Sequence, residues 1–210
     1  MHSPPAGRKA MTTEFPKPPQ GIKCECGGTL VTAILPKYDF SGYVGFEVTL
    51  NGMEGLKCDR CGEETLPGGL INVVLNYTIV QIAKQPRRLN GAEARYLRHK
   101  IDATQEELAT RMGIARETVG KWECGGADIS AQHDFVLRVF ALTMLIGEGL
   151  LPSELARQIM ADTFVSVRAE PPRPATTIDV DLSDIGRMRN LAEQRAAQRK
   201  PPPEPRSAVG

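Results

Sequence analysis

Four of the five cysteines stand in two close pairs, Cys24-Glu25-Cys26 and Cys58-Asp59-Arg60-Cys61, with 31 residues between the pairs and a glycine, Gly27 or Gly62, after each. This feature constrains the fold more than any other, because thiolates carried on two turns can converge on one tetrahedral metal ion. In such a turn backbone N–H groups point at sulfur, and the glycine that follows takes the positive φ that the turn needs. The second pair has the two spacer residues of a zinc knuckle. The first has one, too short for the usual turn with its N–H···S bonds although it still offers two thiolates. Cys24, Cys26, Cys58 and Cys61 are therefore the candidate ligands of a structural Zn2+, and four protein ligands make a closed site that does not catalyse. His2, His99 and His133 are scattered and have no metal-ligand spacing to one another.

The prolines bound the folded part. Of 16 prolines, five lie in residues 1–23 and seven in 166–210, leaving four for the 142 residues between. Ends of that composition bury too little apolar surface to offset chain entropy and read as disordered tails, 1–23 and 166–210, with Ser183–Arg199 at most weakly helical. Met1–Gln20 has charges and prolines where a signal peptide would have its apolar stretch, and Phe135–Ile146 is interrupted by Arg138 and too short to span a bilayer. The expected setting is cytoplasmic and not membrane-bound. Thiols stay reduced there, which favours metal binding over disulfides.

Between the cysteine pairs the sequence reads as strands, Leu30–Leu35 and Val44–Leu50. Gly42, Gly45 and Asn51-Gly52 are turn signals, and Asn51-Gly52 with Met53–Lys57 reads as a hairpin that delivers Cys58. About forty residues are too few to fold by burial alone, so metal would supply stability to this module, 24–66. A connecting helix, 67–86, carries Leu70–Lys84, apolar on more than one face. The remaining 87–165 reads as all-helical. The predicted class is thus α+β, a small β-rich zinc ribbon-like module followed by an all-α domain.

Charge divides along the same lines. Residues 24–66 hold three bases against seven acids, whereas 84–124 hold nine bases against six acids, so the net +1 of the whole conceals an acidic module and a basic one. In the basic half, Gly91–Ile101 is a helix with Ala94, Leu97 and Ile101 on one face. Thr104-Gln105-Glu106-Glu107 is a capping box that starts a second helix to Met112, and Gly113 ends it. Ala115–Glu123 is a third helix with Val119 and Trp122 inward, closed by Gly125-Gly126. Ser130–Ile146 is too apolar for one face, and Ser153–Val165 is a last helix packed on it.

The segment TQEELATRMGIARETVGKWE resembles the phage-repressor-like helix-turn-helix family. The resemblance implies that the third helix enters the major groove of double-stranded DNA. Matched by position, Arg116, Glu117, Thr118 and Lys121 are the DNA-contacting residues. Arg116 suits the paired acceptors of guanine, and Glu117 can accept from cytosine. Gln105 would meet a phosphate at the start of the second helix. Arg98 and Glu123 match a pair that joins the first and third helices structurally. The apolar excess of the connecting and penultimate helices must be buried by the helix-turn-helix core or by a second copy of the chain; a homodimer is expected, since one module contacts only a few base pairs and two-fold symmetry would match a palindromic operator.

A two-pair cysteine module before such a segment resembles the MqsA antitoxin family, also called YgiT-type. The likeness extends through LPKYDFSGYVGFEVTLNGMEGLKCDRCGEE and covers residues 22–150, with the C-x-C pair as a departure. The resemblance implies a repressor that autoregulates its operon and neutralises a basic ribonuclease toxin through the acidic module. A regulator of a mobile element or stress operon without a toxin is the second expectation, and an inhibitor whose helical half serves only dimerisation the third. An enzyme is not expected, since no nucleophile–base constellation, phosphate loop or open metal site is present.

Overall fold

The computed structural model describes residues 21–166. The expected tails lie almost entirely outside the described residues, as does Ser183–Arg199. Within them the fold is α+β: three antiparallel strands in the order β1-β2-β3, followed by helices. β1 is Leu30–Asp39, β2 Thr49–Cys58 and β3 Glu64–Thr65, with a one-turn helix α1, Ser41–Val44, between the first two strands.

The Asn51-Gly52 hairpin expected from sequence is not formed. β2 runs straight through it because Leu50 and Met53 on either side are both fully buried and pair across to Tyr38 and Leu35. The ladder keeps one register throughout but skips Pro36, which has no N–H to give, and Gly52, which faces it, takes φ +63° at the gap. The chain reverses earlier, over residues 40–48. There the Ser41 N–H donates to Asp39 Oδ1 at 2.9 Å, the Val48 N–H donates to Ser41 Oγ at 3.1 Å, and Gly45 ends α1 in the left-handed region. Gly42 and Gly45, the other turn signals, fall in this connection.

Six helices follow: α2 Gly68–Lys84, α3 Gly91–Lys100, α4 Gln105–Met112, α5 Arg116–Glu123, α6 Ala131–Glu148 and α7 Ser153–Ser166. Three of these helices have starts written locally. Asn90 caps α3 in a reciprocal box with Glu93, Thr104 does the same for α4 with Glu107, and Ser130 accepts from the His133 N–H at the start of α6. Gly113 closes α4 at φ +67°. α2 is apolar around most of its girth, as expected, and it is covered within the chain by α6 and α7. One continuous core runs from Leu35, Leu50 and Met53 of the sheet through Val74, Tyr77 and Ile82 of α2 to Leu97, Leu108, Val119 and Leu142.

Arg138 sits at the centre of the helical half with 1% of its surface exposed. Its Nε donates to Asp134 Oδ1 at 2.6 Å, one turn back on α6. Its NH1 donates to the carbonyls of Ile82 at 2.9 Å, Ala83 at 3.2 Å and Gln85 at 2.8 Å, and its NH2 donates to that of Arg87 at 2.5 Å. The guanidinium thus satisfies the last carbonyls of α2, which have no partner within the helix, and holds the turn towards α3. Thr163 of α7 donates to the Ala83 carbonyl from the other side at 2.6 Å. Arg138→Met would strand the buried Asp134 charge and leave the Gln85 and Arg87 carbonyls without this donor, while Ala83 would keep Thr163 and Ile82 the Gln85 N–H. The expected loss, read by urea unfolding, is about 3–5 kcal/mol, and a loss below about 1 kcal/mol would show the hub to be dispensable.

Candidate metal centre and candidate nucleic-acid interface

The Sγ atoms of Cys24, Cys26, Cys58 and Cys61 all lie within 4.8 Å of one another. Cys24 and Cys61 are 3.6 Å apart and Cys26 and Cys58 3.5 Å. A disulfide would need about 2.05 Å. Sulfurs about 2.3 Å from a tetrahedral zinc stand about 3.8 Å from each other, so these separations fit a shared ion. The donor set, four thiols drawn from two turns, is one that could hold a metal ion.

Both turns are closed by the glycine after the second cysteine. Gly62 N–H donates to the Cys58 carbonyl at 3.1 Å, four residues back, and Gly27 N–H donates to the Cys24 carbonyl at 2.9 Å, three residues back. The missing spacer in the first pair therefore tightens the closure by one residue, and Gly27 and Gly62 take nearly the same φ, +82° and +77°. The expectation that the C-x-C pair forms no N–H···S bond is corrected. Gly28 N–H donates to Cys26 Sγ at 3.4 Å, as Arg60 N–H does to Cys58 Sγ at 3.4 Å. Gly28 also lets the two turns approach, since a Cβ there would lie 2.7 Å from Cys58 Sγ.

The turns are tied to each other around the sulfurs. Thr29 N–H donates to Asp59 Oδ1 at 2.8 Å, Asp59 N–H to the Thr29 carbonyl at 3.0 Å, and the Arg60 guanidinium to the Cys26 carbonyl at 3.0 Å. Backbone N–H groups of Cys61 and then Arg60 pull the Cys58 thiol down to about 6, so this sulfur is the readiest thiolate. Cys24 is pushed the other way. The N–H of Cys26 favours its thiolate, but burial together with Cys26, Glu63 and Cys61 raises it, and its Sγ donates to Glu63 Oε2 at 3.3 Å. Glu63, Asp59 and Gly28 were not singled out in the sequence; their only signal was adjacency to the cysteines.

In the helical half, α4 and α5 are joined by a three-residue turn and packed on each other, and α5 is packed on α3. Val119 and Trp122 face inward, and Ala109 is buried where α4 meets α5. Glu123, at the end of α5, is the meeting point. Arg98 of α3 donates to it from Nε at 2.5 Å and NH2 at 3.0 Å, and Gln105 of α4 donates from Nε2 at 2.9 Å. Arg98 also donates to the Ala103 carbonyl at 2.7 Å. Burial pushes Glu123 up, but the hydrogen bonds from Arg98 and Gln105 and the charges of Arg98 and Arg95 outweigh it and hold this carboxyl below its ordinary range.

Arg116, Glu117 and Lys121 are exposed on the side of α5 opposite Val119, Trp122 and Glu123, and Thr118 is half-buried beside them. None of the three exposed residues forms an ion pair among the described residues. Gln105 is placed differently from them. Its amide is half-buried and directed at Glu123, so it fixes α4 to α5. Cys124 is exposed, its Sγ donates to the Lys121 carbonyl at 3.4 Å, and it is not part of the four-thiol cluster. No helix among the described residues is long and apolar enough to cross a membrane.

No family model matches the chain, and no curated protein matches it.

Metal analysis of the purified chain tests the ligand set. The chain is expected to carry about one ion, Cys58→Ser to lose it and Cys124→Ser to keep it. Equal metal in the wild type and Cys58→Ser would refute the assignment.

Proposed function

We propose that this chain is a sequence-specific DNA-binding transcriptional repressor of the MqsA antitoxin type, in which α4 and α5 are a helix-turn-helix and α5 is the reading helix. One observation carries the reading. An eight-residue helix presents Arg116, Glu117 and Lys121 to solvent while its opposite side is fixed by Val119, Trp122 and the Arg98–Glu123 pair. Side chains that read base edges must be free, and the backbone that carries them must be held in one orientation; this arrangement meets both conditions. Arg116 reads guanine and Glu117 cytosine, with Thr118 and Lys121 adding further contacts in the groove. Gln105 contributes by fixing the angle between the two helices, with its backbone at the start of α4 facing phosphate.

Zn2+ is the metal proposed for the cysteine centre, since a closed set of four thiolates suits it and leaves no position for catalysis. The acidic module that surrounds it offers a surface for a basic partner, and where the operon encodes a small basic ribonuclease this is the side that would neutralise it. A single α5 covers only a few base pairs, so the proposed binding form is a homodimer on a palindromic operator in the chain's own promoter. The dimer contact is a separate matter from the apolar girth of α2 and α6, whose cover is intramolecular.

Arg116→Ala tests the reading helix. Affinity for the operator should fall by about 1–3 kcal/mol, leaving weak binding that disappears as salt is raised. Operator affinity unchanged from the wild type in a gel-shift or anisotropy titration would remove α5 from the groove.

A further inference from the structure

The sheet and the helices are joined without a flexible stretch. β3 ends at Thr65, the next residue Leu66 is buried, and α2 begins at Gly68. A second joint lies beside this covalent one. Phe46, in the connection between β1 and β2, is buried and meets the ring of Tyr96 on α3 edge to face, with centroids 5.6 Å apart at 79°. Tyr96 is itself buried, and its hydroxyl donates to the Leu75 carbonyl in the middle of α2 at 2.6 Å. Tyr96 therefore touches the cysteine-bearing module through its ring and the connecting helix through its hydroxyl.

The same helix, α3, carries Arg98, which grips Glu123 at the end of α5. From the thiol cluster the path runs down β2 to its connection with β1, across Phe46 to Tyr96, then two residues along α3 to Arg98 and so to α5. Every step is a covalent neighbour, a buried ring contact or a buried ion pair. An ion shared by the four thiols would tie the two cysteine turns together, so removing it would loosen the end of the sheet that leads to Phe46.

We propose that occupancy of the four-thiol centre and the rigidity of α3–α5 are one coupled equilibrium, transmitted by Phe46 packed on Tyr96. The metal centre is then a control point on the reading helix as well as a local staple. Coupling of this kind is reciprocal, so whatever α5 binds also tightens the hold on the metal. That consequence rests on the function proposed above; the coupling itself does not.

Amide hydrogen exchange on the full chain, zinc-loaded and chelator-stripped, tests it without DNA. Stripping should speed exchange at Leu97, Leu108, Val119 and Trp122 by about tenfold or more, together with the β1 and β2 amides. Phe46→Ala keeps all four cysteines and should take up zinc, but its α3–α5 amides should exchange at rates that no longer respond to the ion. Should that variant not fold, Phe46→Leu keeps the apolar bulk without the ring edge and should reduce the zinc-dependent difference. Exchange in α3–α5 that ignores stripping while β1 and β2 respond would overturn the proposal. So would a zinc response undiminished in Phe46→Ala or Phe46→Leu, or a wild-type chain that takes up no zinc. Loss of operator binding alone would leave it standing.

Discussion

A guanidinium sealed in the interior holds the helical half together. Arg138 takes the last carbonyls of α2, the turn that follows them and the Asp134 carboxylate, so the end of one helix, the start of the route to the next and the body of α6 share one charged group. A charge buried to this degree is costly unless every donor has a partner, and here the partners are the Asp134 carboxylate and the carbonyls at the end of α2 and in the turn beyond it. The arrangement is directional where apolar packing is not. It fixes where α2 stops and how the chain turns towards α3, and the position of α5 follows from that.

Two further buried pairs repeat the device nearer the surface. Arg87 and Glu93 form a bidentate pair at 2.6 Å and 2.8 Å that also serves the cap of α3, and Arg98 with Glu123 binds α3 to α5. The helical half is thus ordered by three arginine–carboxylate contacts set in an apolar core. The cysteine module is ordered by different means, short hydrogen-bonded turns around a cluster of thiols. The sheet also shares the continuous core through Leu35, Leu50 and Met53, and proposed zinc binding would add a tie at its cysteine end.

What the sequence disclosed was what is decided locally. The capping box at Thr104, the stop at Gly113, the inward Val119 and Trp122 and the paired cysteines with their glycines all depend on neighbours a few residues away. The carbonyl partners of Arg138 lie more than fifty residues back in the chain, so nothing near it told of them; only Asp134 is close, and Arg138 reads in sequence as an interruption in an apolar run. Phe46 and Tyr96 are likewise fifty positions apart. Asn51-Gly52 failed as a turn for a related reason, because the burial of Leu50 and Met53 outweighed a local preference. The hydrogen bond from the Gln105 side chain to Glu123 was not legible either, because that partner is known only once the third helix is packed.

The proposed function needs an exposed reading edge on a fixed helix, and the internal contacts explain how so short a helix is fixed. Whether α5 reads sequence is settled most directly by selecting bound sites from random double-stranded DNA with the zinc-loaded chain. The account predicts enrichment of a palindrome whose half-sites contain G·C pairs and lie about one helical turn, roughly 10 base pairs, apart. Recovery of DNA with no enriched sequence would contradict it.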